Sequence, residues 1–119
     1  MSCKAVVREA GGIAVVDLSG RITLGEGSGV VRAAIKDLIA GGQKKMLLNL
    51  GDVSYIDSAG LGELVGAYAT VSHAGGKIKL LNVQKRVNDL LQVTKLYSIF
   101  EFFTDETAAL ASFGSAAEA

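Results

Sequence analysis

Ser58 is the residue in this chain with the most chemistry open to it. It lies within Asp52-Val53-Ser54-Tyr55-Ile56-Asp57-Ser58-Ala59-Gly60-Leu61-Gly62, where an apolar strand gives way to a helix rich in small residues. A hydroxyl at such a junction can cap the helix by accepting a hydrogen bond from a first-turn N–H. It can also act as a nucleophile or accept a phosphoryl group. Nucleophilic hydrolysis needs a base within hydrogen-bond reach. The one histidine, His73, falls fifteen residues further along the same helix, which at ~1.5 Å per residue is about 22 Å away. The stretch Ile56-Asp57-Ser58-Ala59-Gly60 also lacks the first glycine of a G-x-S-x-G elbow. His73 reads as a polar residue near a helix C-terminus, where its cationic form is favoured.

Asp52 and Asp57 are the next pair to weigh. Nothing supplies a third ligand at a recognisable spacing, so neither magnesium nor zinc is expected, and no cofactor is implied. Asp52 reads as a turn residue. Asp57 reads as a charge complementing the helix dipole. Cys3 is the sole cysteine, which rules out an internal disulfide or a cysteine-based metal cluster. The run Gly25-Glu26-Gly27-Ser28-Gly29 resembles a phosphate cradle. It carries Val30 where a dinucleotide fingerprint needs glycine, and no Gly-Lys-Ser/Thr follows. It reads as a flexible entry to a helix.

The elements that must position Ser58 follow from periodicity. Lys45 to Leu50 is strand-like, and Met46-Leu47-Leu48 is apolar without alternation, as in a strand covered on both faces. The helix after it repeats Leu61, Leu64, Val65, Tyr68 and Val71 at steps of three and four, so that stripe faces a core. Earlier, Ala5 to Glu9 and Ile13 to Ser19 form a hairpin across Gly11-Gly12. A helix spans Ser28 to Ala40, with Val31, Ala34, Ile35 and Leu38 inward, and stops at Gly41-Gly42. Gly75-Gly76 closes the Ser58 helix. Lys77 to Val83 is a further strand, Gln84 to Val93 a third helix with Val87, Leu90 and Leu91 inward, and Ile99 to Phe103 a short edge strand. Thr104 or Asp105 caps a last helix through Phe113, and 114–119 is a small-residue tail expected to fray. Strands alternating with helices after a hairpin make an α/β domain over 1–113, with a mixed sheet of four to five strands, parallel crossovers and about four helices.

Bulk composition fits that picture. The chain has 119 residues, 50% hydrophobic and 20% charged, which suits one globular domain. Its 12 basic and 12 acidic residues cancel, giving no sign of a nucleic-acid or anionic-membrane partner. There is no signal-peptide pattern and no run near the roughly 18 to 20 apolar residues of a membrane span. A cytoplasmic protein without membrane insertion is the expectation.

On the face of the Ser58 helix opposite its apolar stripe fall Ala59, Gly62, Gly66 and Thr70. Each glycine inside a helix sacrifices about 1 kcal/mol relative to alanine, so close approach of another protein is the reason to omit the side chains. Such a surface beside an accessible hydroxyl is a docking site that one phosphate could spoil.

Asp57-Ser58-Ala59-Gly60-Leu61-Gly62, preceded by Asn49-Leu50-Gly51-Asp52-Val53-Ser54-Tyr55-Ile56, resembles the signature of STAS domains, and specifically of bacterial anti-sigma factor antagonists. The resemblance runs from about Lys4 to Phe113. It implies that Ser58 is phosphorylated by an anti-sigma factor that is also a serine kinase. The unphosphorylated form would bind that kinase and free the sigma factor, and a phosphatase acting on phospho-Ser58 would restore it. The implied docking residues are Asp57, Ser58, Ala59, Gly60, Gly62, Glu63 and Gly66, with Leu24 and Glu26 from the preceding loop; Asp57 helps to shape the phosphoacceptor site. One departure stands out. Similar antagonists carry an acidic residue in a Gly-x-Leu-Asp arrangement, whereas here Gly20-Arg21-Ile22-Thr23 is followed by Leu24, and Glu26 substitutes only if the loop path permits. Thr23, Ser28 and Ser54 stand open as second modified hydroxyls. The resemblance also leaves room for a scaffold or a soluble subunit of a lipid-transport ATPase that acts by binding alone. An antagonist that gives its surface to a kinase is most simply a monomer when free.

Overall fold

Gly11 and Gly12 both take positive φ, 61° and 84°, as a two-residue hairpin turn requires. They join β1 (Cys3–Ala10) to β2 (Ile13–Ile22) in the computed structural model, which describes residues 3–114. The chain continues through α1 (Glu26–Ala40), β3 (Lys45–Ile56), α2 (Ser58–His73), β4 (Lys77–Leu81), α3 (Lys85–Thr94), a single 3-10 turn (Leu96–Ser98), β5 (Phe102–Phe103) and α4 (Glu106–Ala111). One five-stranded sheet has the order β1-β2-β3-β4-β5, antiparallel in the first pair and parallel in the rest. The expected α/β class, with a mixed sheet and four α-helices, is what forms.

Alternating side chains divide the sheet into two unequal faces. Val16, Leu18, Leu48 and Leu80 pack beneath Val31 and Ile35 of α1, Leu64 and Val71 of α2, and Val87 and Leu91 of α3. On the other face Ile13, Val15, Leu47 and Leu81 meet Ala109 and Phe113 at the C-terminal end. Met46, Leu47 and Leu48 are all fully buried, which is why that segment shows no alternation.

Several boundaries differ from expectation. β3 does not end at Leu50; it runs on to Ile56, because two register shifts against β2 absorb extra residues around Gly51 and Ser54 as bulges. Asp52 therefore lies in a strand opposite Ser19, exposed, and not in a turn. β4 stops at Leu81, since Asn82 turns left-handed with φ 58°. β5 is only two residues long, because Leu96–Ser98 coil into the 3-10 turn. α1 starts at Glu26, ahead of Ser28, and α4 ends at Ala111, short of Phe113. Met1, Ser2 and residues 115–119, which include most of the expected tail, lie outside the described residues.

Two polar clusters tie the layers together. Arg8 donates to Asp17 and Glu106, both at 2.7 Å, linking β1, β2 and α4. The guanidinium holds both carboxyls below their ordinary values. Lys79 of β4 is buried, with Nζ donating to the Ser112 carbonyl and hydroxyl at 3.0 Å. It also lies 3.1 Å from Glu101 and 4.7 Å from the Phe113 ring centre. A cation that is both paired and hydrogen-bonded tolerates such burial.

Candidate functional site

The site forms where β3 hands over to α2. Asp57, with extended backbone (φ −103°, ψ −176°), is the N-cap, and its Oδ1 accepts from the Gly60 N–H at 2.8 Å. This corrects the expectation that Ser58 caps the helix. Ser58 is the first helical residue; its hydroxyl is exposed and makes no hydrogen bond among the described residues. The other Asp57 oxygen, Oδ2, accepts from the Leu24 N–H at 3.1 Å. One carboxylate thus holds the β2–α1 connection against the start of α2. The Gly60 N–H, then the Leu24 N–H, lower the Asp57 pKa below its ordinary value, so the group is anionic at neutral pH.

Ile22 is the seat beneath both helix starts. A Cβ on Gly60 would lie 2.0 Å from the Ile22 carbonyl oxygen, and one on Gly27 would lie 2.9 Å from the Ile22 Cα and 2.6 Å from the Arg21 carbonyl oxygen. No side chain fits at either position. Gly60 is therefore buried and contributes nothing to an outer surface, contrary to its place among the docking residues. Its reason for being glycine is internal.

Gly62 and Gly66 behave differently. A Cβ on either would meet nothing within 4 Å, and both are exposed on the face that also carries Ser58 and Thr70. Ala59 is half-buried beside them. Glu63 is drawn away from that face: its side chain is only 11% exposed and pairs with Arg32 of α1 at 2.8 Å. Leu24 stands 79% exposed next to the Asp57 carboxylate. Glu26 sits in the first turn of α1, not in a loop; burial, and after it the charge of Glu26, push the Cys3 thiol on β1 above its ordinary pKa. Glu26 is exposed there, on the helix and not on the loop path by which it could have substituted for the missing aspartate.

The remaining candidates are spread out. His73 ends α2, at the opposite tip from Ser58. Ser28 is buried, its hydroxyl donating to the Gly25 carbonyl, and Thr23 is half-buried. Ser54 is exposed and donates to the Gly20 carbonyl. Among the described residues no group of three or more His, Cys, Asp or Glu side chains could hold a metal ion, and no helix is long and apolar enough to cross a membrane.

One feature was missed from sequence. Tyr55, Ile56, Arg86, Asp89, Leu90 and Val93 line an open groove of about 330 Å³ that adjoins Asp57 along the chain. Arg21 lies over the Tyr55 ring, 4.7 Å from its centre. Val93 supplies the signal that was available, an exposed apolar residue off the inward stripe of its helix.

Known proteins share this fold. An anti-sigma F factor antagonist from Paenibacillus polymyxa is 30% identical over 100 residues, covering 83% of this chain and 85% of that protein. An anti-sigma factor antagonist from Mycobacterium paratuberculosis superposes with a TM-score of 0.82 at 21% identity, covering 94% of each chain. The Bacillus cell fate determinant SpoIIAA in its phosphorylated form gives 0.68 at 22% identity, over 89% of this chain and 96% of that one. The STAS domain model matches residues 4–109, so with the fold and these relatives in agreement, the chain belongs to the STAS domain family.

Proposed function

We propose that this STAS domain is an anti-sigma factor antagonist in which phosphorylation of Ser58 switches binding off. The unphosphorylated chain binds an anti-sigma factor that is also a serine kinase. That kinase modifies Ser58, and a phosphatase reverses the step. The observation that carries this reading is the Ser58 hydroxyl, exposed, free of hydrogen bonds among the described residues and fixed at a helix start by its neighbour's cap. The names of its relatives and the existence of a phosphorylated form of SpoIIAA support it.

The physics of the switch is local. A phosphate adds close to two negative charges and three acceptor oxygens. The free N–H groups and dipole of a helix N-terminus accommodate an anion there, so the fold survives. The Gly60 N–H is already committed to Asp57, which leaves the phosphate facing solvent beside a second anion. A partner seated on Leu24, Ser58, Gly62 and Gly66 would then meet a bulky dianion in place of a hydroxyl. Losing one or two contacts of ~1.4 kcal/mol weakens binding by about ten- to a hundredfold.

The test is to incubate the chain with kinase-type anti-sigma factors and ATP, locate the modification by mass spectrometry, and titrate both forms against the kinase. One phosphoryl group on Ser58, its loss in Ser58→Ala, and weaker binding of the modified form are expected. Equal affinity of the two forms would overturn the switch.

A further inference from the structure

Val93 and Leu24 are the most exposed large apolar side chains among the described residues, at 80% and 79%. Both stand at the junction that presents Ser58. Leu24 is tied to the Asp57 carboxylate through its N–H, and Val93 lines the groove that Ile56, the residue before Asp57, also lines. One wall of that groove is a single face of α3, where Arg86, Asp89, Leu90 and Val93 follow the helical repeat. Tyr55 is the other wall, with the Arg21 guanidinium set over its ring.

The arginines set the charge of this region. Arg8 is paired with Asp17 and Glu106, and Arg32 with Glu63. Arg21 and Arg86, the remaining two, have no carboxylate partner among the described residues, and both border Tyr55. Asp89, the one acid in the groove, is taken by Lys85 at 2.9 Å. Arg86 also lies in the first turn of α3, which holds no acidic residue. The helix dipole disfavours a cation there, so helix stability does not account for it. Tyrosine and arginine are residue types that dominate binding energy at interfaces, and here three of them come together around one opening.

We propose that the groove receives an acidic segment of the anti-sigma factor partner, with an apolar side chain packed between Tyr55 and Val93 and a carboxylate paired with Arg86; this rests on the proposed function and names the chemistry its partner brings. A guanidinium suits that role because its planar fork meets both oxygens of a carboxylate. The footprint of the partner then runs from Leu24, across Ser58, into the groove. The same chemistry gives the phosphate its leverage. Ser58 follows Ile56 by two residues, so a dianion there stands beside a segment that is itself anionic, and like-charge repulsion adds to the lost contacts.

Titration calorimetry against kinase-type anti-sigma factors tests this. Arg86→Glu is expected to keep or raise the melting temperature, since a first-turn carboxylate suits the dipole. It is expected to weaken binding by at least about tenfold, equivalent to ~1.4 kcal/mol. Val93→Ser, at an exposed site, is expected to weaken binding by about fivefold through lost apolar burial. Lys36→Glu, an equal change of charge at an exposed position of α1, should leave affinity unchanged. Added salt should weaken the parent more steeply than Arg86→Glu. If the parent binds and both groove variants bind as tightly, or Lys36→Glu weakens binding as much as Arg86→Glu, the groove is overturned while the proposed function stands. If the parent binds no such kinase, both fall. Weaker binding of the groove variants together with equal affinity of the phosphorylated and unphosphorylated chains would keep the groove as the seat of the partner and remove the switch.

Discussion

Substituting alanine for glycine at three places along α2 should have opposite consequences. At Gly60 the new methyl would lie 2.0 Å from the Ile22 carbonyl oxygen and 2.8 Å from the Ile56 Cγ1. The nearest atom is backbone and cannot rotate aside, so the first turn of α2 must lift off β2. Overpacking of this kind costs about 1 to 3 kcal/mol, and the upper end applies where the obstacle is a fixed carbonyl. At Gly62 and Gly66 a methyl meets nothing within 4 Å. There the intrinsic gain is about 1 kcal/mol each. Gly62→Ala/Gly66→Ala should therefore be about 2 kcal/mol more stable than the parent, with a melting temperature raised by roughly 8 °C. Urea unfolding with an unchanged m-value, backed by calorimetry, measures both effects. The two added methyls also stand on the proposed docking face, so affinity for the kinase partner should fall by about tenfold. A Gly60→Ala variant as stable as the parent, or a less stable double variant, would refute the packing argument. A stabilised double variant that binds with undiminished affinity would refute the use of that face.

Other outcomes follow from the same contacts. Asp57 has a folded pKa below its ordinary value of 3.8, so its contribution is present above that pH and lost as pH falls through the depressed value. Asp57→Asn still caps the helix but does not titrate; acid titrations followed by circular dichroism should show lower stability at neutral pH and a shallower decline below about pH 4. Arg8→Met should remove the acid sensitivity that Asp17 and Glu106 contribute through their pairing with Arg8, read from the same titrations. Lys79→Met should cost about 1 to 2 kcal/mol, because the Ser112 carbonyl loses its charged donor while Glu101, 64% exposed, returns to solvent. Lys79→Ala should cost about 2 to 3 kcal/mol by opening space beside Phe113, both measured by urea unfolding. Ser58→Asp should keep the native spectrum yet lose the partner, as judged by titration calorimetry.

Much of this was legible in the residues themselves. Gly11-Gly12 announced a hairpin, the unalternating Met46-Leu47-Leu48 announced a strand covered twice, and Asp105 caps α4 by accepting from the Ala108 N–H. The junction was harder. Gly51-Asp52 has the composition of a turn, and the same residues serve a bulge when a neighbouring strand keeps pairing beyond them. Asp57 and Ser58 are both good capping residues; the added contact that anchors Asp57, the Leu24 N–H, arrives from 33 positions away. The inward role of Gly60 could have been read, since it lies four before Leu64 and seven before Ala67 on the buried stripe. Lys79 could not, because its partner Ser112 lies on the far side of α3 and β5 in sequence.

The shared perch on Ile22 carries a consequence for recognition. Because the Leu24 connection and the head of α2 lean on the same residue and are latched by the same carboxylate, the two sides of the proposed docking surface are held as one piece. A visitor finds both already in position, and little ordering entropy is lost when it lands. Repositioning either side for a new visitor would require changing the perch itself, which would shift the other side as well.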